Sequence, residues 1–139
     1  MKLLIKLLYV LIQMTWGLIQ NIVGIIGYLI FSNCIHYTYK ESVVTIVPGK
    51  WGGVSLGMFI FISDGVTKED APNSRVVNHE YGHTLQSLML GPLFFIIIGI
   101  PSGIWYQMDK YRSKHNLDYY SLYCEKWANE LGGVDKCQK

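Results

Sequence analysis

The chain has 139 residues and a net charge of +2, and this length corresponds to one domain. Acidic and basic residues are interleaved from residue 40 onward and form no basic stripe, so we expect no nucleic-acid partner. Its cysteines, Cys34, Cys124 and Cys137, are odd in number and lack C-x-x-C spacing, which argues against a disulfide framework and against a cysteine zinc site.

The first segment, Leu3 to Phe31, is apolar apart from Lys6 and is preceded by Lys2. A helix of about 20 such residues is long enough to cross a bilayer. A cleaved signal peptide is the competing interpretation, but no small-x-small cleavage site precedes Ser32. We therefore predict a membrane location, with residues 1–32 as a membrane-anchoring or backing helix and residues 33–139 as the remaining domain.

Polar and small residues recur in this segment at alternating steps of four and three, which places them on one stripe of a helix. The stripe should face protein, either the helix that carries residues 79–83 or a second copy of the chain in a homodimer. A lone span with scattered glycines is the alternative. The residues of the stripe are Gln13, Gly17, Gln20, Gly24 and Gly27.

Two runs of β-forming residues follow, Val43–Val47 and Val54–Ile62, and residues 48–53 between them are rich in glycine and include a proline. This pattern predicts an antiparallel β-hairpin. The second run precedes the next helix and could serve as an edge strand for an extended substrate, although it equally fits an ordinary core strand.

The next helix should begin near Arg75, capped by Asn73 or Ser74, and should end at Gly91-Pro92. It carries the sequence His79-Glu80-Tyr81-Gly82-His83. Residues four apart lie on one helical face, so both imidazoles can reach one metal ion while Glu80 points at its bound water. The motif predicts a zinc hydrolase; the alternative is a buried helix whose histidines hydrogen-bond to their neighbours.

A second apolar stretch covers residues 88–106 and is interrupted by Gly99, Pro101 and Gly103. A straight crossing of the membrane would place its two ends about 30 Å apart. The chain on either side could then not contribute ligands to one ion. We therefore predict that this stretch doubles back at Pro101 or packs as a core helix.

The tail has a helical pattern from about Leu117 to Leu131 that ends at Gly132-Gly133. A catalytic zinc usually takes three protein ligands, so a third ligand is needed beside the two histidines. Glu125 lies on the same face as apolar and small residues and is the predicted ligand, whereas Glu130 can pair with Lys126 in solvent. His115 and His36 have polar surroundings typical of loops.

The order of elements, with the motif helix followed by Glu125-Lys126-Trp127-Ala128-Asn129, resembles the gluzincins, zinc peptidases whose third ligand is a glutamate on a later helix. It is similar to both the small single-domain and the integral-membrane gluzincins. The resemblance implies an α+β, zincin-like fold with one Zn²⁺ held by His79, His83 and Glu125. This fold would comprise an N-terminal membrane helix, a short antiparallel β-hairpin or sheet, the motif helix, an apolar helix and a glutamate helix.

The resemblance also implies a peptide or protein substrate, with Glu80 as general base. Where those families commonly have an aspartate that orients a ligand histidine, this chain has Asn129, whose amide oxygen could still do so. Candidate donors for the oxyanion are Tyr119, Tyr120 and His115. Two alternatives stay open: hydrolysis of a non-peptide amide or ester, and a non-catalytic small membrane protein with a structural metal site or a partner-binding role.

Overall fold

The computed structural model describes residues 2–67 and 75–134. Within these ranges the fold is mixed α+β, as predicted, with a four-stranded sheet and seven α-helices. The predicted caps Asn73 and Ser74, and Cys137, lie outside the described residues. The strands are β1 (Ile35–Tyr39), β2 (Ser42–Val47), β3 (Gly53–Leu56) and β4 (Phe59–Ser63). The helices are α1 (Lys2–Thr15), α2 (Leu18–Ile30), α3 (Asp64–Thr67), α4 (Arg75–Leu90), α5 (Ile100–Gln107), α6 (Asp109–Lys114) and α7 (Tyr123–Gly132).

The prediction of one continuous N-terminal helix is wrong, because the chain breaks at Trp16-Gly17 and the axes of α1 and α2 differ by 96°. Side chains stabilise the break, since the Asn21 amide donates to the carbonyl oxygens of Gln13 and Gly17, each at 2.8 Å. No single helix among residues 2–67 and 75–134 is long and apolar enough to span a membrane. Two bent pairs reach the required length and composition, α1 with α2 and residues 75–93 with 95–107.

The polar and glycine stripe packs against other elements of the same chain. Gln13 donates from Nε2 to the Thr84 carbonyl of α4 at 3.0 Å. Gly24 and Gly27 lie so close to Phe59 and Phe61 of β4 that an added Cβ would meet those rings at 2.6 and 2.8 Å. The surface that the homodimer prediction assigned to a second copy is therefore covered within one chain at Gly24 and Gly27.

The sheet has the order β1-β2-β4-β3, with β1–β2 and β3–β4 antiparallel and β2–β4 parallel. The predicted hairpin between Val43–Val47 and Val54–Ile62 is therefore wrong. The second run contains two strands, because Gly57 turns the chain with φ 64° and Asn21 Oδ1 accepts the Met58 backbone N–H at 2.9 Å. This partner comes from α2, and no local pattern indicates it.

Helix α4 packs on the sheet through Val77 and Tyr81, which join Val44, Ile60 and Ile62 in the main core. The helix ends where predicted, at Gly91, whose φ is 53°.

The chain then reverses, and the axes of residues 75–93 and 95–107 differ by 118°. The stretch does double back, but at residues 91–95 and not at Pro101, so the predicted position of the reversal is wrong. Pro101 instead lies in the first turn of α5, where no N–H is needed. Phe94 and Ile98 then pack against Cys124 of α7 in a second core, which brings α7 back to α4.

Candidate metal centre

Helices α4 and α7 bring three buried ligand groups to one point. His79 and His83 present their Nε2 atoms 3.2 Å apart. Glu125 Oε2 lies 3.0 Å from His79 Nε2 and 3.3 Å from His83 Nε2. The predicted metal ligands therefore form a single cluster, with Glu125 fully buried.

The spacing of these atoms fits a small tetrahedral ion. Zinc bonds of about 2.0 Å to nitrogen or oxygen, directed to the corners of a tetrahedron, hold the ligand atoms about 3.3 Å apart. The three distances of 3.0, 3.2 and 3.3 Å lie within a few tenths of an ångström of that value. Two imidazoles and a carboxylate are also a donor set that zinc uses in catalytic sites. The residues present can thus hold zinc without rearrangement of the helices.

The two helices reach this distance because glycine replaces a side chain at both points of contact. A Cβ at Gly82 would lie 1.9 Å from the Ala128 carbonyl oxygen, and one at Gly132 would lie 2.0 Å from the Asn78 carbonyl oxygen. Any larger residue at either position would push α7 away from α4. Gly82, inside the motif itself, therefore determines whether Glu125 can reach the histidines.

Each histidine is oriented by a side-chain amide on the far side of its ring. His79 Nδ1 lies 2.9 Å from Asn129 Oδ1, and His83 Nδ1 lies 2.7 Å from Gln86 Oε1. Gln86 donates from Nε2 to the Cys124 carbonyl at 2.9 Å, so its oxygen must face His83 and can only accept. His83 is consequently protonated on Nδ1, and in the neutral ring Nε2 presents a lone pair to the cluster.

The negative charge of the site favours the binding of a cation. Burial alone would raise the pKa of Glu125, but in the metal-free site hydrogen bonds from His79 and from His83 in its protonated form lower it more, so the side chain is a carboxylate. Burial, assisted by the Glu125 charge, raises the pKa of the Cys124 thiol to about 12. Cys124 therefore stays protonated beside the site, and its Sγ lies 3.7 Å from Glu125 Oε1.

Glu80, the predicted base, is buried on α4 and held by strand β3. Ser55 Oγ lies 2.7 Å from Glu80 Oε2 and 2.8 Å from the Glu80 carbonyl oxygen. Gly53 leaves room for the carboxylate, because a Cβ there would be 2.7 Å from Glu80 Oε1. The carboxylate is thus fixed from one side by a single hydroxyl.

A cleft runs past Glu80 in two parts, of about 660 and about 370 Å³. The larger part touches His83 and the smaller touches His79. Both parts are lined by Trp51, Gly53, Glu80, Tyr106 and Tyr119. The metal cluster and the base therefore face a shared space that a substrate chain could follow.

The predicted tyrosines lie at this cleft and the predicted histidine donor does not. The Tyr119 hydroxyl lies 3.2 Å from Ser102 Oγ, and burial together with the Glu125 charge raises the pKa of Tyr119. Tyr120 packs edge-on against His79 with ring centroids 5.1 Å apart. His115 is exposed at the end of α6, where its Nδ1 bonds the Tyr111 carbonyl, and it lines neither part of the cleft.

The remaining candidate ligands lie elsewhere. Glu130 is exposed, and His36 bonds Thr45 on the sheet at 2.9 Å. Within residues 2–67 and 75–134, no fourth histidine, cysteine, aspartate or glutamate joins the cluster.

Sequence reasoning missed Gln86, Ser55 and Gly82. Of these, only Gln86 carries a local signal, because it lies three residues after His83 on the same helical face.

Comparison of the chain with known protein families, curated proteins and solved structures finds no match. The proposal below therefore depends on the geometry of the site and on the motif.

Proposed function

We propose that the protein is a zinc-dependent peptidase of the gluzincin type, in which His79, His83 and Glu125 hold the metal. The observation that carries the proposal is the cluster of three potential ligand atoms separated by 3.0–3.3 Å, on the wall of a cleft that Glu80 also lines. Three ligands, instead of the four of a closed structural site, are typical of a catalytic zinc. This favours hydrolysis over a purely structural metal.

When bound, zinc supplies a Lewis acid that lowers the pKa of a water molecule and polarises the scissile carbonyl. Glu80 accepts the proton of the attacking water and transfers it to the leaving amine. Ser55 can hydrogen-bond to Glu80 both when Glu80 is ionised and when it is protonated, because the Ser55 hydroxyl proton has two acceptors within reach. It donates to the carboxylate before the transfer. Once Oε2 is protonated, Ser55 accepts that proton in a hydrogen bond and donates to the Glu80 main-chain carbonyl.

Tyr119 is the best placed of the predicted oxyanion donors. Its hydroxyl stays protonated because its pKa is raised, and its side chain lines both parts of the cleft. The Trp105 indole donates to the Tyr119 carbonyl at 2.9 Å and so fixes the turn from which the ring projects. A donor held in this way can stabilise the charge that develops on the scissile carbonyl oxygen.

Strand β3 offers the means to bind an extended peptide. In the part of the chain that the structure describes, β3 is an edge strand that pairs only with β4. Its residues Gly53, Val54, Ser55 and Leu56 line the larger part of the cleft. A peptide that added to this edge would run past Glu80 and the metal ligands, with its main chain bonded to β3. This supports a peptide over a small amide or ester.

The test compares Glu80→Gln with the wild type and with Glu130→Gln, a matched change of an exposed carboxylate. We expect a library of quenched fluorescent peptides to be cleaved by the wild type and by Glu130→Gln. Glu80→Gln should lower the rate by about 10²–10⁴-fold while its zinc content stays unchanged. Equal rates for Glu80→Gln and wild type, or zinc bound without cleavage of any peptide by the wild type, would contradict the peptidase and favour a structural metal.

A further inference from the structure

The two N-terminal helices have inverted polarity. The residues of α1 and α2 that face the rest of the protein are Tyr9, Gln13, Gln20, Asn21 and Gly24. A helix on a water-exposed surface instead turns its apolar stripe to the core. The outward side carries Leu3, Leu4, Ile5, Leu7, Leu8, Leu11, Met14, Trp16, Leu18, Ile19, Ile22, Val23, Ile26, Leu29, Ile30 and Phe31, all exposed.

Specific hydrogen bonds hold this inverted orientation in place. The amide groups of Gln13 and Gln20 donate to the carbonyl oxygens of Thr84 and Gly91, at the middle and the end of α4. Asn21 connects α1, α2 and the β3–β4 turn through its bonds to Gln13 and Met58. Rotation of either helix would leave these buried amides without partners. The apolar side must therefore be stable in its outward position.

The extent of the apolar surface identifies its partner. On α1 the exposed leucines and isoleucines, spaced at 100° per residue, cover roughly 200° of the helix circumference. One protein surface covers a single face of a helix, whereas lipid chains surround it. An exposed apolar surface this extensive marks an interaction site, and its spread around most of the helix favours lipid over a single protein partner. Lys2 and Lys6, at the start of α1, add attraction to anionic headgroups.

The second bent pair extends the same surface. The two bends touch, because a Cβ at Gly91 would lie 2.3 Å from Trp16 Nε1. Beyond this contact the exposed apolar residues continue with Leu93, Ile96, Ile100 and Ile104. No Asp, Glu, Lys or Arg occurs in residues 7–39 or 81–108, so both bends are free of charge.

This apolar surface reaches the cleft. Ile100 is 56% exposed and also lines the larger part of the cleft. Val54 and Trp51, 41% and 38% exposed, line it too. The rim is thus built from side chains that are both apolar and open to the surroundings. Anything that enters the larger part of the cleft passes residues that belong to, or border, the apolar surface.

We propose that α1, α2 and residues 93–104 dock into a lipid bilayer without crossing it, and that the cleft opens at the bilayer surface toward an apolar segment of a membrane-bound peptide. The first part follows from length and bend: helices of 14 and 13 residues are each about 20 Å long and cannot alone cross a hydrocarbon core about 30 Å thick. The bends of 96° and 118° turn the chain away from a straight crossing. The second part rests on the proposed peptidase function.

Flotation of the full chain with vesicles of phosphatidylcholine and phosphatidylglycerol tests the docking. We expect the wild type to float with the vesicles. Leu7→Glu combined with Leu11→Glu should lower the floating fraction at least about tenfold, because two exposed leucines that the proposal places in the bilayer are replaced by charges. The control is Leu117→Glu, the same change at an exposed leucine outside the apolar surface, and it should float like the wild type. Circular dichroism confirms that each variant is folded.

Fluorescence quenching tests the position of the cleft. The chain has four tryptophans, and vesicles whose lipids carry bromine in the acyl chains near the headgroup quench those at the bilayer surface. Trp51→Phe should remove roughly a third of the quenchable emission, the share of one tryptophan among the three other than Trp127. Trp127→Phe, on α7 beside the second core, should remove none.

Three results would overturn the proposal: a wild type that does not float, a Leu7/Leu11 variant that floats as well as the wild type, or a Trp51→Phe variant with unchanged quenching. None of these readouts needs zinc or turnover. A failure of the membrane proposal is thereby distinguishable from a failure of the peptidase proposal, which the Glu80→Gln comparison decides.

Discussion

Gln86 connects the two helices of the metal centre, since its oxygen accepts the His83 Nδ1 hydrogen at 2.7 Å and its amide donates to the Cys124 carbonyl at 2.9 Å. Cys124 precedes the proposed ligand Glu125, so one side chain orients a proposed ligand on α4 and holds the backbone next to another on α7. Both bonds are buried.

Gln86→Met should weaken zinc binding by about 10–100-fold, which is the usual effect of losing an outer partner of a metal-bound histidine. Methionine keeps the length of the side chain and removes both hydrogen bonds. The measurement is zinc affinity by competition with a chromophoric chelator, and Gln107→Met, at an exposed glutamine, is the control. Unchanged affinity in Gln86→Met would show that His83 needs no such partner.

Asn129→Asp should strengthen zinc binding severalfold, and Asn129→Leu should weaken it by about 10–100-fold. Asn129 Oδ1 accepts from His79 Nδ1 at 2.9 Å without a formal charge. A carboxylate in its place would raise the basicity of the imidazole, while leucine removes the acceptor. The same chelator competition measures all three proteins. If they had equal affinity, the role assigned to Asn129 would be wrong.

Gly82→Ala should destabilise the fold by roughly 3 kcal/mol and abolish stoichiometric zinc binding, because the new methyl group would lie 1.9 Å from the Ala128 carbonyl oxygen. Gly103→Ala is the matched control, since nothing lies within 4 Å of a Cβ there. That change should leave zinc binding intact and raise the free energy of unfolding by about 0.5–1 kcal/mol, because alanine has a higher helix propensity than glycine. Thermal unfolding and zinc content are measured for both. A Gly82→Ala protein with normal stability and zinc content would contradict the close approach of α4 and α7.

Zinc affinity should fall as the pH is lowered through the pKa of His83. Burial lowers this pKa, but the hydrogen bond to Glu125 and the nearby carboxylates raise it more, so it lies above the ordinary value of 6.5. The proton on the metal-free ring stabilises the fold at low pH, and this contribution is lost as the pH rises through the raised pKa. The same proton competes with zinc, so affinity should drop about tenfold per pH unit below that pKa. Affinity that stays constant between about pH 5 and about pH 9 would contradict this coupling.

The three residues of the candidate metal centre were predictable because helical periodicity determines their positions. His79 and His83 are one turn apart, and the amphipathic pattern of the last helix turns Glu125 inward. Both patterns depend only on residues close in sequence. The structure contains both the one-turn spacing of the histidines and the inward position of Glu125. The helix ends at Gly91 and Gly133 were also predictable from the local sequence, because glycine readily adopts the positive φ found at both positions.

The errors occur where distant residues decide the local structure. The break at Trp16-Gly17 is stabilised by the amide of Asn21, and the turn at Gly57 is fixed by the same side chain. Neither contact has a sequence pattern. The parallel pairing of β2 with β4 likewise depends on which edge β3 occupies, and strand-forming residues alone do not indicate this.

The most direct test of the metal centre is the zinc content of the purified chain, compared among the wild type, Glu125→Ala and Glu130→Ala. Glu125 lies 3.0 and 3.3 Å from the two imidazoles, whereas Glu130 is an exposed carboxylate on the same helix. The account predicts one zinc ion per chain in the wild type and in Glu130→Ala, and a strongly reduced content in Glu125→Ala. A wild type without zinc, or equal zinc content in all three proteins, would contradict it.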